Sequence, residues 1–344
     1  MKAVQANEFG GPEVLHLVDL AEPTPGPDQL LVRVEACGVC YHDVLTRSGL
    51  ISRGVRLPFV PGHEIAGRVA GWGDWVSGFR LGELVCITPH VACGSCHYCI
   101  AGHDNLCQDA ILLGHGDAVG GYSEFVVARA RAWVKVPEGI PAAQAAILGC
   151  AVGTAYRATR DAGVAPGQTV VVTGAGGGVG LHAVQCARLA GARVLAITSG
   201  PEKREAIAGC GADEVIVDGG GGFHRQVREL TGGLGADVVI DCVGTPVWSS
   251  VMRSVGAGGK VAYVGQVSDD TVNFNPGQIV LRGISLLGCR GSTLSDLRQL
   301  LELVSRGRLR PLLTQEASLG EAAAAHALME SRKLVGRLVL RPGS

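Results

Sequence analysis

Residues 169–199 read TVVVTGAGGGVGLHAVQCARLAGARVLAITS. VVVT is a short, continuous apolar run rich in β-branched residues, the pattern of a strand buried on both faces of a parallel sheet. GAGGGVG breaks it, HAVQCARLA carries apolar residues at helical spacing, and VLAIT is a second apolar strand. The texture continues through DEVIVD, a helix near FHRQVRELTG, ADVVIDCVG, a helix near VWSSVMRSVG, and the strands KVAYVG and ISLLGC. Strands alternating with helices imply a parallel sheet with right-handed crossovers.

The glycines carry more than a turn. They read G-x-x-G-x-x-G through Gly174, Gly177 and Gly180, with Gly176, Gly178 and Val179 between. Between a strand and the helix it opens, such a run lets backbone approach a pyrophosphate, whose charge the helix N-terminus stabilises. Without a ligand it would be a tight turn only. The end of the second strand then separates the two nicotinamide nucleotides, because an acid there accepts hydrogen bonds from a ribose 2′-hydroxyl. That place holds Thr198 and Ser199, with Lys203 and Arg204 next. A missing carboxylate and nearby cations favour NADP(H) over NAD(H). Glu202 and Glu205 flank the cations, so a solvated helix face is the competing reading.

On the N-terminal side the chain is different. LLVRVEACGV, AGRVAGW, LVCITP and EFVVARARAWVKVP are short β-type runs broken by Gly and Pro, as in an irregular, mostly β domain. The last fifty or so residues read as a helix, SDLRQLLELVSRGRL, then a helix and strand, EAAAAHALMESRKLVGRLVLRP. The 344 residues suggest two domains, and 47% hydrophobic content can bury a large core. A net charge of −1 and 4% aromatics argue against nucleic-acid or membrane-surface binding. No apolar run is long enough to span a bilayer, and MKAVQANEFGGPEVL lacks the apolar core of a signal peptide, so a soluble, cytoplasmic protein is expected. Twelve cysteines in such a chain point to metal binding or buried thiols rather than disulfides.

Two cysteine-containing patterns stand out. Residues 93–107, CGSCHYCIAGHDNLC, place Cys93, Cys96, Cys99 and Cys107 as C-x2-C-x2-C-x7-C. Four thiolates so spaced can close a tetrahedral zinc site, which is structural; an iron–sulfur cluster and free thiols are the other options. A catalytic zinc keeps one position open and needs three protein ligands. Cys40 in GVCYHD and His63 in PGHEIAG offer two, Glu64 is a neighbouring or alternate ligand, and Cys150 in ILGCAVGTAYRA is the candidate third. Taken singly, Cys40 reads as a buried thiol and His63 as a hydrogen-bonded core residue.

GVCYHD, PGHEIAGRVAGWGDWV, the four-cysteine lobe, Cys150 and VVVTGAGGGVG, in this order and spacing, resemble the zinc-containing medium-chain dehydrogenase/reductase superfamily. The resemblance implies an α/β protein. A GroES-like, mostly β catalytic domain (1–151) would carry a structural zinc lobe (93–107). A Rossmann domain with a doubly wound parallel sheet (152–288) would follow, and residues 289–344 would complete the catalytic domain. It implies two zinc ions per chain. Cys40, His63 and Cys150 would hold the catalytic ion, and Asp43 would fix His63 by a hydrogen bond. Val243 and Arg337 would join the nucleotide site, Arg337 at the pyrophosphate. A homodimer or homotetramer is expected on the same ground. The implied activity is hydride transfer between NADP(H) and an alcohol, aldehyde or ketone.

The chain departs from the common alcohol dehydrogenase pattern at the proton relay. His42 stands where a Ser or Thr is usual, and Leu45 where a second relay histidine is often found. His42 can itself exchange a proton near neutral pH. CYHDVL, CAVGTAYRATRDAG and VTGAGGGVGLHAVQ look especially like the acryloyl-CoA reductase branch, which makes reduction of an enoyl thioester or activated alkene the alternative. A non-catalytic zinc-ribbon binding protein is the alternative from another class.

Overall fold

A computed structural model describes residues 1–116, 118–268 and 270–343. The chain divides into two compact units, one of residues 1–153 with 291–344 and one of residues 154–290.

Among the described residues, 154–290 build a six-stranded sheet in the order Glu214–Val217, Arg193–Thr198, Thr169–Val172, Ala236–Asp241, Val255–Tyr263, Ser285–Gly288. Every neighbouring pair is parallel. Val170, Val171 and Val172 are all fully buried, which explains an apolar run without alternation. The chain leaves Thr169–Val172 toward one edge and returns beside it through Ala236–Asp241. The strand order therefore reverses next to Thr169–Val172, the switch point where open α/β sheets bind ligands. The helix Gly178–Leu189 starts inside the glycine run, with Gly177 in extended backbone as its N-cap.

The other unit is built on a seven-stranded sheet among the described residues. Gln29–Gly38 pairs antiparallel with Glu64–Trp72, Phe125–Arg129 and Arg337–Arg341. Leu84–Ile87 and Trp133–Lys135 extend it on one side, and Leu313–Ser318 lies parallel to Arg337–Arg341 on the other. Leu30, Val32, Val34, Ile65, Val69, Val85, Ile87, Val126, Leu338 and Leu340 share one buried cluster. Each such side chain contributes about 1.5–3 kcal/mol on burial.

The register of this sheet sets the geometry of what lies at its end. Gly38 pairs with Glu64 and with Val339, so the chain leaving one strand at Cys40, entering the next at His63, and starting the last at Arg337 meets at one place. The strands approach so closely there that a Cβ at Gly38 would lie 2.2 Å from Glu64 Oε2. Two local devices follow. The helix Tyr41–Arg47 begins at Cys40, whose N–H donates to Asp43 Oδ2 at 3.1 Å. Leu148–Val152 is a wide π-type turn that carries Cys150; such turns are frequent at functional sites. Among the described residues, no helix is long and apolar enough to cross a membrane.

Candidate active site

Cys40, His63, Glu64 and Cys150 each bring a ligand atom to one cluster, all within 4.8 Å of one another. Cys40, His63 and Glu64 are buried, and Cys150 is partly so. His63 Nδ1 faces Asp43 Oδ1 at 2.9 Å. A carboxylate accepts only, so Nδ1 carries a proton, and Nε2 faces the thiols. Cys150 Sγ is 3.5 Å from that Nε2. Tetrahedral zinc bond lengths put a nitrogen and a sulfur ligand about 3.6 Å apart and two sulfurs about 3.8 Å apart. The donor set and its spacing therefore fit a zinc ion held by two thiolates and an imidazole.

The lobe fits a second ion. Cys93, Cys96, Cys99 and Cys107 converge in the same way. Cys96 and Cys99 Sγ are 3.5 Å apart, Cys93 and Cys99 Sγ 3.9 Å, bracketing the tetrahedral edge, and all twelve cysteines are free of disulfides. The N–H groups of Ser95 and Cys96 point at Cys93 Sγ, and that of Gly94 at Cys99 Sγ. The Ser95 and Cys96 N–H bonds bring the Cys93 thiol down to about 6, so thiolate, the ligand form, dominates at neutral pH. His97 and His103 are exposed.

In the unit of residues 154–290, the glycine run and the end of Arg193–Thr198 lie side by side, with Ala175 N–H donating to Ile197 O at 2.9 Å. Gly178, Val179 and Gly180 form the first turn of the helix. Thr198 is buried and Ser199 exposed. The two cations separate. Lys203 is buried with its stem over Gly176, where a Cβ would lie 2.4 Å from Lys203 Cδ, whereas Arg204 is exposed. A Cβ at Gly174 would lie 3.0 Å from Val243 Cγ2, so Val243 packs on the start of the glycine run. Arg337 lies in the other unit, buried, with both Nε and Nη2 donating to the Glu64 carboxylate.

Residues 26–138 match the family described as alcohol dehydrogenase GroES-like domain, and residues 178–306 that described as zinc-binding dehydrogenase. An NAD-dependent alcohol dehydrogenase of Sulfurisphaera tokodaii is 36% identical, over 99% of this chain and 100% of the relative. An acryloyl-coenzyme A reductase of the same organism is 31% identical, over 95% and 96%. A crystal structure of AibC superposes with a TM-score of 0.92 at 40% identity, covering 99% of this chain and 96% of that one. The chain belongs to the zinc-containing medium-chain dehydrogenase/reductase superfamily.

As a member of that superfamily it is an oxidoreductase of the type that uses zinc and a nicotinamide cofactor. The GroES-like and Rossmann-like sheets account for its fold class. Burial, hydrogen bonds and neighbouring charges together set the charges of this dehydrogenase's cluster. Burial pushes the Glu64 carboxyl up to about 7, against the opposing Arg337 guanidinium. The Cys40 thiol is held well below its usual range, first by a hydrogen bond from Cys150 and then by Arg337 and His63. Burial disfavours His63 imidazolium, but the charge and hydrogen bond of Asp43 outweigh it and raise the ring.

Two residues around the cluster have no sequence signal. His115 stacks on His42 and lies 3.3 Å from Thr46 Oγ1. Arg47 is fully buried and donates through Nη2 to Glu330. His115 sits in LLGHGDAVGG, remote in sequence, and only the fold brings it to His42, whereas Arg47 ends the helix that begins at Cys40. Thr173 and Asp241, hydrogen-bonded to each other, did have a signal: each is a polar residue directly after a run of three apolar ones, VVV and VVI.

Proposed function

We propose that this oxidoreductase transfers hydride between NADP(H) and an alcohol or its aldehyde or ketone, with Cys40, His63 and Cys150 holding a catalytic zinc and the four lobe cysteines a structural one. The observation that carries the reading is the convergence of two thiols, one imidazole and one carboxylate within 4.8 Å. When bound, zinc supplies Lewis acidity at a substrate oxygen and the nicotinamide supplies or accepts the hydride.

The chain's own residues do the rest. Asp43 holds His63 in the tautomer whose Nε2 can ligate. Arg337 opposes the effect of burial on the Glu64 carboxyl and holds it in place, so that it can serve as an alternate ligand. His42 stands two residues after Cys40 with its ring nearly perpendicular to that of His63, centroids 5.4 Å apart. Its Nδ1 is sealed from solvent and has no hydrogen-bond partner among the described residues. That leaves Nε2 to take up or return the substrate proton. Thr198 in place of an acid, with Arg204 exposed nearby, supports NADP(H). A homo-oligomer is part of this reading.

A second reading is supported by His42 replacing the hydroxyl relay and by the relative named acryloyl-coenzyme A reductase. In it the hydride goes to an alkene carbon conjugated to a thioester or other carbonyl. One experiment separates them: incubate the protein with NADPH and an α,β-unsaturated aldehyde and identify the product. An unsaturated alcohol supports carbonyl reduction. A saturated aldehyde rejects it and makes enoyl thioesters the substrates to assay.

A further inference from the structure

Thr173 and Asp241 stand at the carboxyl ends of two neighbouring strands at the switch point of the parallel sheet, Thr169–Val172 and Ala236–Asp241. Asp241 is fully buried and Thr173 almost so. A buried carboxylate is tolerated only when donors surround it. Here the Thr173 hydroxyl donates to Asp241 Oδ1. Val243 N–H donates to Oδ1 and Gly244 N–H to Oδ2, each at 3.1 Å. Thr173 Oγ1 in turn accepts from Cys242 N–H at 3.1 Å. All three successive backbone donors of residues 242–244 thus end on this one pair of side chains.

The turn so held is not free to take another shape. Gly244 has φ +84°, and a Cβ there would lie 2.4 Å from Gln266 Oε1 and 2.8 Å from Gly265 O. Val267 N–H donates to Val243 O at 3.2 Å, tying the next loop to the first. Val243 is pressed against Gly174, the first glycine of the run.

We infer that Asp241, held by Thr173, is a positioning residue of the nucleotide site, fixing the turn 242–244 and through Val243 the wall beside the glycine run. The inference rests on the reading of residues 154–290 as the nicotinamide nucleotide unit. If the pair only stabilised the fold, nucleotide affinity would not follow it.

The test titrates the full-length protein with NADPH and with NADH by nicotinamide fluorescence, alongside thermal unfolding and zinc content. Thr173→Val keeps the side-chain shape but removes one of the two donors to Asp241 Oδ1 and leaves the Cys242 N–H without its acceptor. It is expected to weaken nucleotide binding by about tenfold, the effect of an unsatisfied buried group. Thr173→Ser restores the hydroxyl and should bind within about twofold of wild type. Zinc content stays unchanged in both. A folded Thr173→Val protein that binds as wild type does, or a Thr173→Ser protein as weak as the valine variant, overturns the inference. Should Thr173→Val fail to fold, Asp241→Asn decides: weakened binding supports the role, and wild-type binding or a second failure to fold overturns it. A wild-type protein without affinity for either nucleotide rejects instead the reading on which the inference rests.

Discussion

The imidazole of His115 stacks on that of His42, with ring centroids 5.2 Å apart and planes inclined by 24°. Thr46 explains the orientation. Its hydroxyl donates to His42 O at 2.9 Å, so its lone pair is free to accept from His115 Nε2 at 3.3 Å. His115 therefore carries its proton on Nε2 and is neutral, burial and the neighbouring His42 having brought it down to about 4. A neutral ring can stack on His42 without repelling it when His42 takes a proton. His115→Ala should leave zinc content unchanged and lower kcat/KM by about tenfold, through loss of His42 placement. His115→Phe, which keeps the stack, should lose less. Steady-state kinetics beside elemental analysis checks both, and equal losses would refute stacking as the cause.

Asp43 acts on the metal through His63. Its Oδ1 accepts a hydrogen bond from His63 Nδ1–H while Oδ2 accepts the Cys40 N–H, so one carboxylate orients two proposed ligands. Asp43→Asn presents an amide that can satisfy only one of those donors. The expected result is 10–100-fold weaker zinc binding at one site of two. Chelator competition should resolve a fast-exchanging ion in the variant and two slow ones in wild type.

How much of this was readable beforehand depends on distance along the chain. The glycine run and the lobe cysteines each lie within one short stretch of chain, and their spacing alone says what backbone or thiols must do there. Cys40 and His63 are separated by the helix Tyr41–Arg47 and a loop, yet each abuts a β-type run, so their meeting follows from the register Gly38↔Glu64. Lys203 and Arg204 were one feature in the sequence and are two in space, because the helical turn buries the first on Gly176 and exposes the second. Arg337 meeting Glu64, and His115 meeting His42, depend on how remote strands and loops close around the site. No periodicity or spacing encodes that. Asp241 was within reach: a carboxylate closing VVID sits where burial would forbid it unless it held something.

The lobe can be tested apart from the chemistry. Cys99→Ser removes the sulfur that lies near both Cys93 and Cys96. Zinc should fall from two ions per chain to one, since a structural site with three thiols no longer closes. The protein should unfold at a lower temperature, with the remaining ion still needed for activity. Two ions retained in the variant would mean that Cys99 is not needed to hold the lobe ion, and one ion in wild type that the lobe binds no metal.

Arg337 and Glu64 form a pair in which neither charge can stand alone. Arg337 is 3% exposed and Glu64 not at all. Arg337→Met leaves the carboxylate buried without its cation, which should destabilise the protein by about 3–5 kcal/mol. Adding Glu64→Gln removes the stranded charge and should recover part of that loss. Denaturant unfolding of the two variants measures the difference. A double variant as unstable as Arg337→Met would show that packing of the arginine, rather than its charge, matters.

The last prediction concerns the nucleotide. Thr198 ends its strand with Oγ1 directed at Gly200 O, 3.4 Å away, so no carboxylate stands there to exclude a 2′-phosphate. Arg204 begins the next helix and is exposed. If it meets the phosphate, Arg204→Ala should raise KM for NADPH by about tenfold and leave NADH unaffected, because only one of the two carries the group. Thr198→Asp should invert the preference, since an acid accepts from a ribose hydroxyl and repels a phosphate. The ratio of kcat/KM for the two nucleotides, measured in wild type and both variants, reads out each step. A wild-type protein that already prefers NADH would mean that the flanking acids outweigh the cations and that Arg204 belongs to a solvated face.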